Sequence, residues 1–143
     1  MKPFEIALGE YGVMEIAGTV NSPRVMKYSQ EIGLTWVKDD ETAWCALFVN
    51  WCLMKAGKPN TGAVNARSFL KYGASTKTPI IGDIVVLWRE SKEGTLGHVG
   101  FFIHDTENYI YILGGNQADS VNITRFSKAQ LLDYRQIPLV SHA

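Results

Sequence analysis

Two residues in this 143-residue chain have the type and setting to carry covalent chemistry together: a cysteine at the start of a helix and a histidine framed by glycines. Cys45 lies in Thr42-Ala43-Trp44-Cys45-Ala46-Leu47-Phe48. If Thr42 is the N-cap, Cys45 falls in the first helical turn. There, unpaired backbone N–H groups and the helix dipole favour an anion. A thiol so placed titrates below its usual ~8.5 and becomes a nucleophile. The same residue also reads as a small buried apolar side chain, a common fate of free cysteine. Cys52 lies mid-helix among apolar neighbours and reads as packing. The helical rise separates the two cysteines by roughly 10 Å, beyond the ~7 Å Cα limit for a bridge, so both are expected as free thiols.

A thiolate enzyme needs a base, and the histidines are His98, His104 and His142. His142 stands beside the C-terminus, and His104 next to Asp105 reads as a surface turn residue. His98, in Gly97-His98-Val99-Gly100 at the start of a strand, has room to reach across to Cys45. The imidazole then needs a polar group to hold its tautomer. In a meander the end of the next strand, Leu113-Gly114-Gly115-Asn116-Gln117, lies beside His98. Asn116 is the first candidate for this orienting role and Gln117 the second. The same stretch also reads as a Gly-Gly-Asn turn.

Trp36 and Trp44 are core residues by their type, or else walls of a substrate groove. Glu41, with Asp39 and Asp40, complements the helix dipole, with substrate contact as its second reading. Gln117 is a further candidate substrate contact. The sequence has no HExxH, CxxC or spaced carboxylate series, so no metal is expected and no cofactor. Its glycine pairs match no phosphate-binding loop.

These residues must be positioned by helices first and strands second. Helical spacing runs from Pro3 to Tyr11, from the Ser22-Pro23 cap to Gly33, through the apolar stretch Thr42 to Ala56, and from Asn65 to Tyr72. Strand patterns cover Ile84 to Trp88, His98 to His104, Tyr109 to Leu113 and Val121 to Phe126. Ser127 caps a last short helix through Leu132, and Arg135 to Leu139 is expected as an edge strand. Helices followed by an antiparallel meander make an α+β domain. The length fits a single domain over residues 1–143 with no second module.

Composition narrows the class without naming it. Lys and Arg together number 14, as do Asp and Glu, so the formal net charge is zero and no basic stripe suggests nucleic acid. No apolar run is long enough to span a bilayer. The acids Glu5, Glu10 and Glu15 interrupt any signal-peptide core, so the chain is expected to be made in the cytoplasm.

Thr42-Ala43-Trp44-Cys45-Ala46-Leu47-Phe48-Val49-Asn50-Trp51-Cys52 resembles the nucleophile helix of the NlpC-type and CHAP-type cysteine hydrolases of bacterial cell walls. Gly82-Asp83-Ile84-Val85-Val86-Leu87 with Gly97-His98-Val99-Gly100-Phe101 resembles their strand pair carrying the histidine. Four further segments are similar to a short, single-domain phage and prophage subfamily. They are Gly12-Val13-Met14-Glu15-Ile16-Ala17-Gly18, Asn21-Ser22-Pro23-Arg24-Val25, Asn65-Ala66-Arg67-Ser68-Phe69 and Gly114-Gly115-Asn116-Gln117. The resemblance implies a papain-like α+β fold with the nucleophile helix packed on a C-terminal antiparallel sheet. It implies Cys45 as nucleophile, His98 as general base and acid, and Asn116 at the third position. The implied partner is the peptidoglycan stem peptide, cleaved at an amide by a monomer that binds no nucleic acid and inserts in no membrane. It further implies an endolysin that reaches the wall through a holin pore. An interbacterial amidase effector and a catalytically silent wall-binding or virion protein are the alternatives.

Overall fold

The structure, a computed structural model, describes residues 1–14, 23–34 and 44–139, and for residues 23 and 24 the backbone only. Ser22, Trp36, Asp39, Asp40, Glu41, Thr42 and His142 lie outside the described residues.

Among the described residues three α-helices come first: α1 (Pro3–Gly9), α2 (Pro23–Ile32) and α3 (Cys45–Lys55). Every residue of α3 from Cys45 to Leu53 is buried. An apolar surface all round a helix is stable only where other elements cover every side. Here α1 and α2 pack on one side of α3, and the sheet packs on the other. The helix ends where the sequence places a glycine. Gly57 takes φ +72°, and the N–H groups of Gly57 and Lys58 bond back to the carbonyls of Met54 and Leu53 at 3.0 and 2.9 Å. At its start the helix is shorter than the Thr42 cap implies. Trp44 holds the cap position without a side-chain bond, so Cys45 is the first helical residue.

The expected helix at Asn65 to Tyr72 is a 3₁₀ turn, Ala66–Lys71. The strands are β1 (Ala74–Thr76), β2 (Ile84–Trp88), β3 (Gly97–Asp105), β4 (Tyr109–Gln117), β5 (Ser120–Ser127) and β6 (Leu131–Gln136). They form one antiparallel sheet in the order β1-β6-β2-β3-β4-β5. The meander from β2 to β5 follows the sequence expectation, but β6 does not. Ser127 caps only the 3₁₀ turn Lys128–Gln130, and the strand that follows lies inside the sheet between β1 and β2 instead of at an edge. Tyr134 fixes it there, buried edge-on against Phe102 at 5.5 Å between ring centroids.

Apolar side chains cover both faces of the sheet. Ile84, Val86, Val99, Phe101 and Leu113 join the helices in the main core. Val85, Leu87, Phe102, Ile110, Ile112 and Tyr134 form a second cluster on the other face. No helix among the described residues is long and apolar enough to cross a membrane.

Candidate active site

The thiol of Cys45 and the imidazole of His98 meet where the start of α3 abuts the start of β3. Cys45 is 2% exposed and His98 is 6% exposed. The glycines on either side of His98 let the neighbouring strands β2 and β4 close in around it. A Cβ on Gly97 would lie 2.7 Å from the Leu87 carbonyl oxygen, and one on Gly100 would lie 2.3 Å from Ile112 Cγ2. Gly115 serves the partner element. A Cβ there would meet the Trp44 ring at 2.7 Å and Phe48 Cβ at 2.9 Å, so the glycine lets α3 lie directly on β4.

Burial by itself would push the Cys45 thiol up. The charge of His98, a hydrogen bond with it, and backbone hydrogen bonds from Val99 and Ala46 outweigh that cost and carry its pKa below the usual thiol range. For His98, burial favours the neutral ring. The charge and hydrogen bond of Cys45 and the hydrogen bond of Gln117 override this, against a smaller opposing push from Arg89, and the net direction is upward. The two shifts together favour a thiolate–imidazolium pair.

The side chain that hydrogen-bonds His98 is Gln117, the second candidate for the orienting role, and not Asn116. His98 Nε2 lies 2.9 Å from Gln117 Oε1. Regular alternation along β4 would put Ile112, Gly114 and Asn116 on the face of His98. The pairing with β5 shifts register between Gly114 and Gln117, and Asn116 takes φ +58°. This bulge puts Gln117 rather than Asn116 within hydrogen-bonding reach of His98. Gly114 leaves the space, since a Cβ there would stand 2.6 Å from Gln117 Oε1.

A chain of acceptors sets the direction of the Gln117 amide. Its Nε2 donates to the carbonyl oxygens of Ile112 at 3.2 Å and Asn122 at 2.8 Å, and to Asn122 Oδ1 at 3.0 Å. Asn122 Nδ2 in turn donates to the Gln117 carbonyl at 2.7 Å, and Thr124 Oγ1 donates to Asn122 Oδ1 at 2.6 Å. Backbone carbonyls only accept, so Gln117 must present its oxygen to His98. His98 therefore carries its proton on Nε2 and leaves Nδ1 for the thiol. The ring also leans on Phe126, with centroids 4.9 Å apart.

Asn122 and Thr124 were missed as site residues. Their signal was present, since they form the polar positions of an alternating strand, but that pattern is also the mark of a solvated face. Trp44 does not wall a groove. It is 1% exposed and packs against Tyr28 and Phe48. His104 is exposed, and a register shift between Phe102 and His104 breaks the parity it would otherwise share with His98. Both cysteines are free, as expected.

Among the described residues, two openings flank the pair. A cavity of about 410 Å³ reaches His98 between Trp88, Arg89, Asn116, Asp119 and Phe126. A narrow cleft reaches Cys45 between Asn65, Ala66, Arg89 and Gly97. The site can therefore hold an extended substrate across a nucleophile and a base.

No curated protein matches the sequence significantly. Among solved structures, the chain is similar to a protein of Staphylococcus aureus subsp. aureus Mu50 described as similar to lipoprotein, NLP/P60 family. That match has TM-score 0.44 and 17% identity, and covers 87% of this chain and 45% of that one. This chain thus spans less than half the length of that relative. The profile of the CHAP domain matches residues 37–116, a span that holds both Cys45 and His98 and stops one residue short of Gln117. Because that match takes in more than half of the sequence, the chain belongs to the CHAP domain family.

Proposed function

We propose that this domain hydrolyses an amide bond of the peptidoglycan stem peptide through a thioester on Cys45. The carrying observation is a thiol at the first residue of α3 facing an imidazole whose Nε2–H is committed to Gln117. Cys45 Sγ attacks the scissile carbonyl carbon, and the displaced electron pair moves to the carbonyl oxygen. The backbone N–H of Cys45, at the helix start, donates to that oxyanion. His98 gives its Nδ1 proton to the leaving nitrogen, the C–N bond breaks, and the amine departs. Water then loses a proton to Nδ1 and attacks the thioester, which releases the acid and restores the thiolate. No cofactor enters these steps.

The finer reading is a phage endolysin: a monomer made in the cytoplasm and delivered to the wall through a holin pore. Its catalytic step is the one above. Purified sacculi incubated with the protein should lose turbidity and release fragments that mass spectrometry assigns to one cleaved amide. Cys45→Ala should release none. Undiminished release by that variant would overturn the proposal, and co-sedimentation without products would make the protein a wall binder.

A further inference from the structure

Arg67, Arg125 and Arg135 all have partners. Arg67 donates from Nε, Nη1 and Nη2 to the carbonyls of Leu96, Lys92 and Ser91 at 2.9, 2.9 and 2.8 Å. Arg135 is held by Tyr72, Asp133 and Gly73, and Arg125 lies over the Tyr109 ring. Arg89 differs. Its side chain has no hydrogen bond, ion pair or ring contact with any described residue, yet it borders both the His98 cavity and the Cys45 cleft.

We propose that Arg89 is the carboxylate-recognition residue of the groove, taking a carboxylate carried by the residue next to the scissile amide. This rests on the function proposed above and names the chemical class its substrate must present at that point. Three features support it.

The position is central, since a ligand crossing from the cavity to the cleft must pass Arg89. The position is also fixed. The Arg89 N–H bonds to the Leu96 carbonyl at 3.1 Å at the base of the β2–β3 loop, and Arg67 braces the rest of that loop. An ordered loop backbone adds no loop-ordering cost on binding, and the guanidinium can grip a carboxylate through two parallel bonds. Finally, the charge is uncompensated. Asp119 lines the same cavity but makes no ion pair with Arg89 among the described residues. After burial, Arg89 is the other influence that opposes the His98 imidazolium. A bound carboxylate would cancel that opposition and strengthen the thiolate–imidazolium pair when substrate arrives.

Two alkylating reagents that differ only in this charge test the site without any wall substrate. The rates at which iodoacetate and iodoacetamide modify Cys45, read by peptide mass spectrometry, give a ratio in which the thiol reactivity common to both reagents cancels, and circular dichroism checks that each variant is folded. Arg89→Gln should lower the iodoacetate-to-iodoacetamide ratio about 5- to 10-fold, the range for losing one charge-assisted contact. Arg89→Lys should keep part of it. Stem-peptide fragments with the flanking carboxyl either free or as the carboxamide should show the same loss of preference in kcat/KM. A reagent ratio indifferent to Arg89 overturns the inference. A ratio that depends on Arg89 while no wall fragment is cleaved sustains the carboxylate site and overturns the proposed function instead.

Discussion

Cys45 and Cys52 occupy the same helix, and both are buried, yet their thiols titrate in opposite directions. Cys45 is 2% exposed and Cys52 is 0% exposed, so dehydration opposes ionisation of both. Around Cys52 burial acts first, and the carboxylate of Glu10 adds to it, raising the thiol well above its usual range. Glu10 itself is buried and accepts a hydrogen bond from Tyr28 at 2.8 Å. Around Cys45 the neighbouring charge is an imidazole, and the backbone groups of Ala46 at the helix start and of Val99 on β3 bond the sulfur. Burial is thus common to both cysteines and activates neither. The sign of the adjacent charge and the position along the helix decide which thiol ionises more readily.

The largest effect should come from exchanging the two residues for inert ones. Cys45→Ala should reduce kcat/KM on wall fragments by at least about 10³-fold, the scale of removing a nucleophile, with unchanged circular dichroism. Cys52→Ala should keep turnover and lower stability by about 1 kcal/mol, a few degrees in Tm. Equal activity losses in the two variants would erase the contrast.

His98→Ala should make Cys45 behave like Cys52. Without the imidazole, burial dominates and the thiol pKa rises, so the midpoint of the pH profile for iodoacetamide alkylation should move up. If the lowered pKa of Cys45 falls below the raised pKa of His98, both groups are charged in the window between them. The thiolate contributes stability that is lost as pH falls through its folded pKa. The imidazolium contributes stability that is lost as pH rises through its own. The kcat/KM profile should therefore be a bell, with its acid limb set by Cys45 and its alkaline limb by His98. An alkylation midpoint that stays put in His98→Ala would show that the helix start alone activates the thiol.

The contrast between the two cysteines was legible in the sequence because it depends on short-range facts. An apolar helix stopped by Gly57 and a histidine between two glycines are local patterns, and they were enough to pair Cys45 with His98. The helix start shifted from Thr42 to Cys45 without moving the thiol out of the first turn. Errors arose where one residue of register decides the outcome. A bulge between Gly114 and Gln117 puts Gln117 rather than Asn116 within reach of His98, and no pattern in Gly-Gly-Asn-Gln distinguishes a bulge inside a strand from a turn beyond it. The same limit hid β1, three residues with no periodicity, and put β6 at an edge, because strand order depends on distant partners.

Gln117 offers the next test of what holds the imidazole. Gln117→Ala should lower kcat/KM about 10²-fold, less than the ~10⁴-fold associated with losing a charged orienter. Asn116→Gly, which keeps the left-handed backbone, should retain most of the activity. The reverse ranking would return the orienting role to Asn116. Gln117→Glu should not improve matters. Its new oxygen would face the carbonyls of Ile112 and Asn122 and Asn122 Oδ1, all acceptors, so a buried repulsion would replace three hydrogen bonds.

The smallest effect should lie one residue further from the sulfur. Asn122→Ala removes Oδ1 from Gln117 Nε2 and the donor to the Gln117 carbonyl, but leaves the carbonyls of Ile112 and Asn122 in place. The amide keeps its direction with less restraint, so kcat/KM should fall about fivefold, the equivalent of about 1 kcal/mol for one net hydrogen bond. A positioning role predicts more than lost stability. As His98 is held less firmly in the Nε2–H tautomer, the alkaline limb of the pH profile should move down, and the Cys45 alkylation midpoint should move up with it. Asn122→Asp keeps Oδ1 as an acceptor for Gln117 and Thr124, so it should restore more of the profile than of the melting temperature. If Tm falls in Asn122→Ala while both pH midpoints stay fixed, Asn122 only supports the strand, and the chain that orients Cys45 and His98 ends at Gln117.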